Sequence, residues 1–218
     1  MKTSTKDAET TTPSIQKEKV PADTLSPQTQ RIVNHINTFV NDSLEYAIIP
    51  DCVDITQLPS STDDIYATNS KWNPIDFTES SKRYMRKLFH DTHVSCHNLL
   101  AALKSTFVTS VIDMQMILSE KGDKRQKLHY DLSNNLADIK PRNKRNYYYS
   151  VIVAICPNTR LYVGKNLIKI PIGSMLIFRG DTLHAGAAYS SDNHRFFISI
   201  HHKLYPTFKT VGLEKCSH

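Results

Sequence analysis

The sequence predicts a mainly β protein, a sandwich or barrel of antiparallel strands with helices placed ahead of it. Three observations carry that expectation. From about residue 107, short runs rich in Val, Ile, Tyr and Phe follow one another: "FVTSVIDMQMILSE", "YYYSVIVAI", "RLYVGK", "LIKIPIG", "SMLIFRG" and "RFFISIHH". Gly, Pro and Asn punctuate them at near-regular intervals, as turns punctuate strands. Helical periodicity is confined to the residues before them, so helices precede the strands and do not alternate with them.

Taken in order, residues 1 to 25 are rich in Thr, Ser, Lys and Glu and nearly free of large apolar side chains. Such a segment buries too little surface to offset its ordering entropy, and a disordered tail is expected. "SPQTQRIVNHINTFVND" then predicts a helix. Ser26 can cap it, Pro27 suits the first helical position, and Ile32, Val33, Ile36, Phe39 and Val40 share one face. Residues 43 to 78 form a long irregular stretch broken by Pro50, Pro59 and Pro74, with the single tryptophan, Trp72. A second helix is expected over roughly 80 to 106. On it His90, His93 and His97 share a face with Cys96 nearby, a zinc site in one reading. The plainer reading is a polar face opposite Leu88, Phe89, Leu99, Leu100 and Leu103, and it is preferred, because structural zinc sites draw ligands from separate elements. The expected organisation is a helical and loop support region over 26–110, a β core over 111–205 and a C-terminal tail over 206–218.

Composition narrows the class further. Of 218 residues, 39% are apolar and 22% charged, ordinary values for a globular domain with a sizeable core. Cysteines 52, 96, 156 and 216 are too scattered for a zinc knuckle or a CxxC pair, and they read as reduced thiols in a cytoplasmic or nuclear protein. No signal peptide and no membrane span are expected.

The stretch "QKLHYDLSNN" raises the functional question. In an extended segment residues i and i+2 point to the same side, so His129 and Asp131 present an imidazole and a carboxylate together. The best third ligand is His184, which follows a strand and a Gly-Asp turn. Two histidines and one carboxylate leave three open positions on a divalent metal, the arrangement of non-haem Fe(II) oxygenases, and no thiolate biases the set toward zinc. Eleven residues on, Arg195 opens the apolar run "RFFISI", an unfavourable place for a guanidinium unless a carboxylate pairs with it. Ser199 lies four residues further along the same face and can add a hydroxyl donor.

With those residues in order, "HYD", "PIGSMLIFRGDTLHAG" and "HRFFISI" resemble the 2-oxoglutarate and Fe(II)-dependent oxygenases, most closely the prolyl-hydroxylase and phytanoyl-hydroxylase-like branches. The resemblance spans roughly residues 110 to 203. It implies a double-stranded β-helix, a jelly-roll barrel with supporting helices. It also implies Fe(II) held by His129, Asp131 and His184, and 2-oxoglutarate bound through its distal carboxylate by Arg195 and Ser199. The implied activity is that of a dioxygenase, an oxidoreductase that uses O2 to hydroxylate a C–H bond and releases succinate and CO2. Its substrate would be a protein side chain or a small molecule. "HRFFISIHHK" lacks the second arginine of nucleic-acid-dealkylating members, which disfavours a DNA or RNA repair enzyme.

Other side chains fill in this picture. Ile152, Met175 and Ile177 are candidates for the apolar wall around the metal. Of Tyr147, Tyr148 and Tyr149, alternation sends Tyr148 one way and its neighbours the other, so one face of the three can meet the cosubstrate. Between Lys121 and Arg145 eight basic residues stand against three acidic ones, which accounts for +5 of the net +6. Such a patch attracts an acidic protein, a phosphorylated molecule or nucleic acid; a solvated loop is the plain alternative. Two competing functions stay open: a catalytically silent jelly-roll binding module, and a cupin-type metalloenzyme that needs no 2-oxoglutarate.

Overall fold

The computed structural model describes residues 25–58, 70–75, 82–88, 96–131 and 147–202. The expected N-terminal and C-terminal tails lie outside these apart from a residue at the boundary, as do His90, His93 and Cys216.

Helix α1 (Pro27–Asn41) begins where its capping residues direct: the Ser26 side chain accepts from the Thr29 amide at 3.1 Å, and Pro27 occupies the first turn. Its buried face is Ile32, Val33, Ile36, Phe39 and Val40. Among the described residues ten strands follow: β1 (Tyr46–Ile49), β2 (Asn73–Pro74), β3 (Arg83–Lys87), β4 (Ser110–Ser119), β5 (Tyr149–Ala154), β6 (Arg160–Val163), β7 (Asn166–Lys169), β8 (Met175–Arg179), β9 (His184–Gly186) and β10 (Asn193–His202). Helix α2 (His97–Thr106) stands between β3 and β4.

The strands form two antiparallel sheets. Seven run in the order β1-β8-β5-β10-β4-β3-β2, and three in the order β7-β6-β9. Both faces of the large sheet are covered. On one side α1 and α2 pack against Met114, Met116, Tyr149, Val151, Val153, Met175, Ile177, Phe196, Ile198 and Ile200. On the other, Ile152, Ala154, Leu176 and Phe178 meet Leu161 and Val163 of the small sheet. Every residue of β5 is therefore buried. The two sheets enclose the interior of a jelly roll.

Three expectations need correction. Among the described residues of the helix expected over 80–106, His97–Thr106 is helical; Arg83–Lys87 is a strand, paired from Arg83↔Ser119 to Lys87↔Gln115. The unpaired edge of β4 offers a ladder that outweighs the modest helical preference of "RYMRK". Strands β1, β2 and β3 also join the large sheet from the segment read as helix and loop. Finally, Met175 and Ile177 face the helices, because alternation along β8 turns Leu176 and Phe178 inward instead. No helix among the described residues is long and apolar enough to cross a membrane.

Candidate active site

His129 lies in an extended segment that touches the small sheet at one point. His129 and His184 exchange both backbone hydrogen bonds, each N···O distance 2.9 Å, as an isolated antiparallel bridge. A hydrogen-bonded pair brings two backbones side by side, and the two imidazole rings stand 4.4 Å apart between centroids. Asp131, two residues on, returns to the same side. One ligand atom from each of His129, Asp131 and His184 lies within 4.8 Å of the others.

The surroundings orient all three. Nδ1 of His129 lies 2.9 Å from the Lys127 carbonyl, and Nδ1 of His184 lies 2.9 Å from the Thr182 carbonyl. Carbonyls only accept, so both Nδ1 atoms carry the proton, and Nε2 is the nitrogen of each ring that can offer a lone pair to a metal. His184 Nε2 is 3.4 Å from Asp131 Oδ1, while Oδ2 of Asp131 accepts a hydrogen bond from the Ser150 hydroxyl. Burial alone would raise the Asp131 pKa, but the charges and hydrogen bonds of His184, His129 and Ser150 outweigh it and bring it down to about 2. Burial would lower the His184 pKa, and the Asp131 carboxylate outweighs that and raises it. The carboxylate is thus poised to hold a positive charge shared with two imidazoles. Phe178 closes the apolar side, its ring centroid 4.7 Å from that of His184.

Tyr148 and its neighbours form the next layer. Its hydroxyl hydrogen-bonds with Ser199 and Ser150, and burial followed by the Asp131 charge raises its pKa. The alternation read in the sequence holds, since Tyr149 packs among Phe39 and Phe107 on the helical side. Gly180 makes room for Tyr148: a Cβ there would lie 2.3 Å from its ring. His201, buried on the inward face of β10, stacks against Tyr148 with centroids 6.2 Å apart.

Arg195 sits further along β10, opposite Ile117 of β4 and Ala154 of β5, and only 3% of it is exposed. Its guanidinium donates to Ser119 Oγ from both Nη atoms at 3.2 Å and to Asn193 Oδ1 at 3.2 Å, and lies 5.2 Å from the Tyr189 ring centroid. Burial lowers its pKa to about 10, and the neighbouring Arg83 charge adds to the effect. Among the described residues no carboxylate forms an ion pair with Arg195. Asp123, whose charge reaches it, is bonded to Arg83 at 2.7 Å. Ser199 does not share this place. It pairs with Ser150 and Asp113 in the ladder, four residues from Arg195, a spacing of about 13 Å along a strand.

Arg83 was not legible as a site residue, because its segment reads as helix. It is 1% exposed and donates to Ser119 Oγ (2.9 Å) and the Ala187 carbonyl (2.9 Å). Ser150, Ser119 and Phe178 gave no sequence signal beyond ordinary strand residues.

No family model and no curated protein matches this chain by sequence. Solved structures do match by shape. A prolyl hydroxylase from Trichoplax adhaerens, in complex with a hypoxia inducible factor oxygen degradation domain peptide fragment, is 12% identical, with 82% of this chain and 94% of that one covered at a TM-score of 0.58. The fold is that of the 2-oxoglutarate-dependent oxygenases. A viral collagen prolyl hydroxylase from Paramecium Bursaria Chlorella virus-1, in its 2-oxoglutarate complex, is 13% identical over 73% of this chain and 97% of that one, TM-score 0.52. HygX from Streptomyces hygroscopicus, with nickel and 2-oxoglutarate bound, is 10% identical over 78% of this chain and 87% of that one, TM-score 0.54.

Proposed function

We propose that this protein is an Fe(II)- and 2-oxoglutarate-dependent dioxygenase that hydroxylates a C–H bond of a protein side chain or small molecule, releasing succinate and CO2. The observation that carries the reading is the convergence of His129, Asp131 and His184 with both Nε2 atoms directed away from their backbone partners. The donor chemistry fits the metal: two neutral imidazoles and one carboxylate suit Fe(II), and free positions remain for other ligands. The anion end fits as well. Among the described residues, Arg83 and Arg195 are both buried beside a single buried acid, Asp123, which leaves one positive charge in excess in a site that water barely reaches. A carboxylate from a cosubstrate is the partner that makes such a charge tolerable.

In this reading iron, 2-oxoglutarate and O2 together supply the oxidant, coupling decarboxylation to hydroxylation. The chain's own residues bind and orient. His129, Asp131 and His184 would hold the metal on one side. Lys127 and Thr182 fix the imidazole tautomers through their carbonyls, and Ser150 occupies Asp131 Oδ2 so that Oδ1 is the atom left for the metal. Phe178, Leu176 and Ile152 keep water from the reacting centre.

The test is succinate release from 2-oxoglutarate by the purified protein with and without Fe(II). Iron-dependent succinate formation supports the reading. A protein that binds neither ligand is the silent jelly-roll module, and metal-dependent turnover indifferent to 2-oxoglutarate points to the cupin-type alternative.

A further inference from the structure

The segment that carries His129 and Asp131 departs from a regular ladder at one residue. His129 and His184 exchange both backbone hydrogen bonds. In an antiparallel pair the next such exchange falls two residues along each chain, here between Lys127 and Gly186. Among the described residues it is displaced by one position. The Gly186 carbonyl accepts from the Gln126 amide at 3.0 Å, and the Gly186 amide donates to the Gln126 side chain, Oε1, at 2.8 Å. The carbonyl that a regular ladder would offer to Gly186, that of Lys127, lies instead 2.9 Å from Nδ1 of His129. A slip of one residue is that of a β-bulge, a device that re-aims a side chain.

The slip poses a hydrogen-bonding problem that Gln126 solves. Gly186 is buried, and a buried N–H without an acceptor is unfavourable. If the Lys127 carbonyl serves His129, the Gly186 amide needs another acceptor, and the Gln126 side chain supplies it. The fit is close, since a Cβ at Gly186 would fall 2.4 Å from Gln126 Oε1. Neighbouring residues hold the same segment down. The Arg125 guanidinium lies 3.8 Å from the centroid of the Tyr162 ring on β6, and Asp123 is bonded to Arg83 at 2.7 Å.

We propose that Gln126 is a positioning residue of the metal centre. Its side-chain amide stands in for the Lys127 carbonyl in the ladder, which frees that carbonyl to hold the His129 imidazole with Nε2 toward the metal. The proposal rests on the ligand set put forward above and concerns the aim of one ligand in it. Without the Gln126 oxygen the Gly186 amide competes for the Lys127 carbonyl, and His129 loses the acceptor that fixes its ring. The segment contributes no side chain to the two core clusters. It can therefore loosen locally, and the loss falls on metal affinity more than on the fold.

The experiment titrates the protein with Mn(II), next to Fe(II) in the order of divalent affinities, and reads the free ion by electron paramagnetic resonance. Gln126→Met keeps the length of the side chain and removes the acceptor. It should weaken Mn(II) about 10-fold or more, the range for a buried donor left unmade, with the metal-free Tm within about 3 °C of wild type. Gln126→Glu keeps an acceptor oxygen beside the Arg83 guanidinium and should stay within about 3-fold of wild type. Nitrogen NMR of the imidazoles in the metal-free protein gives a second readout. His129 should carry its proton on Nδ1 in wild type and Gln126→Glu and lose that preference in Gln126→Met. His184, held by the Thr182 carbonyl, should keep its own in all three. Should Gln126→Met fold poorly, Gln126→Asn retains an amide too short to reach Gly186 and should show the same losses. Unchanged Mn(II) affinity or an unchanged His129 tautomer in the folded variant overturns the proposal and spares the function. An equal loss in Gln126→Glu overturns it too, because the acceptor is then not what matters. A wild-type protein that binds Mn(II) no better than His129→Ala removes the ligand set, the functional reading and the proposal together.

Discussion

Replacing Arg195 by methionine separates the two demands on this side chain. Among the described residues no carboxylate pairs with its buried charge, and burial lowers its pKa to about 10. A shift of that size corresponds to roughly 3 kcal/mol of unfavourable charge burial. Methionine removes the cost and keeps apolar volume, while Ser119 Oγ and Asn193 Oδ1 each lose a donor, at about 1 kcal/mol apiece. The ligand-free variant should therefore be as stable as wild type or up to about 1 kcal/mol more so, a rise in Tm of about 2–4 °C for a chain of this length. The cosubstrate response runs the other way. At a 2-oxoglutarate concentration 100 times Kd, wild type gains about 2.7 kcal/mol. If the lost bidentate contact weakens binding about 30-fold, the variant gains only about 0.9 kcal/mol at that concentration. Thermal melts of the Fe(II)-loaded proteins under argon, with and without 2-oxoglutarate, read both effects. A ligand-free variant less stable than wild type by more than about 2 kcal/mol would show that Arg195 is a structural residue. So would an undiminished shift with 2-oxoglutarate.

Three other outcomes follow from the same geometry. His129→Ala or His184→Ala should abolish stoichiometric iron binding with the fold retained, measured by metal analysis and circular dichroism; wild-type iron content in both would remove the ligand assignment. Gly186→Ala should cost about 1–3 kcal/mol, because its Cβ meets Arg83 Nη1 at 2.2 Å and Gln126 Oε1 at 2.4 Å, and should weaken metal binding as β9 shifts; an unchanged Tm and metal affinity contradict this. In the metal-free protein the Asp131–His184 pair stabilises the fold most between about pH 4 and 6.5. The contribution of the raised His184 pKa fades as pH rises through its folded value, above 6.5, and that of Asp131 fades as pH falls from 3.8 toward about 2. The Tm difference between wild type and Asp131→Ala should peak in that window, and a difference independent of pH counts against the pairing.

The sequence alone determined what depends on short-range periodicity. Alternation in "YYYSVIVAI" and "RFFISIHH" specified strands and which residues share a side; packing then put Tyr148 toward the site and Tyr149 toward the helices. The two-residue spacing of His129 and Asp131 needed only extended backbone to bring them to one side, so this half of the triad was legible although the segment is no regular strand. Tertiary structure decided the rest. His184 meets His129 through a single bridge between residues 55 positions apart, and no local rule specifies that register. "RYMRK" became a strand because β4 had an open edge, and that pairing set Arg83 opposite Ser119. Ser119 and Ser199 are alike in sequence, each a serine in an apolar strand near the candidate ligands. Only the β4–β10 register gives one to Arg195 and the other to Tyr148, since a hydroxyl acquires its role from the groups that long-range packing brings within hydrogen-bond reach.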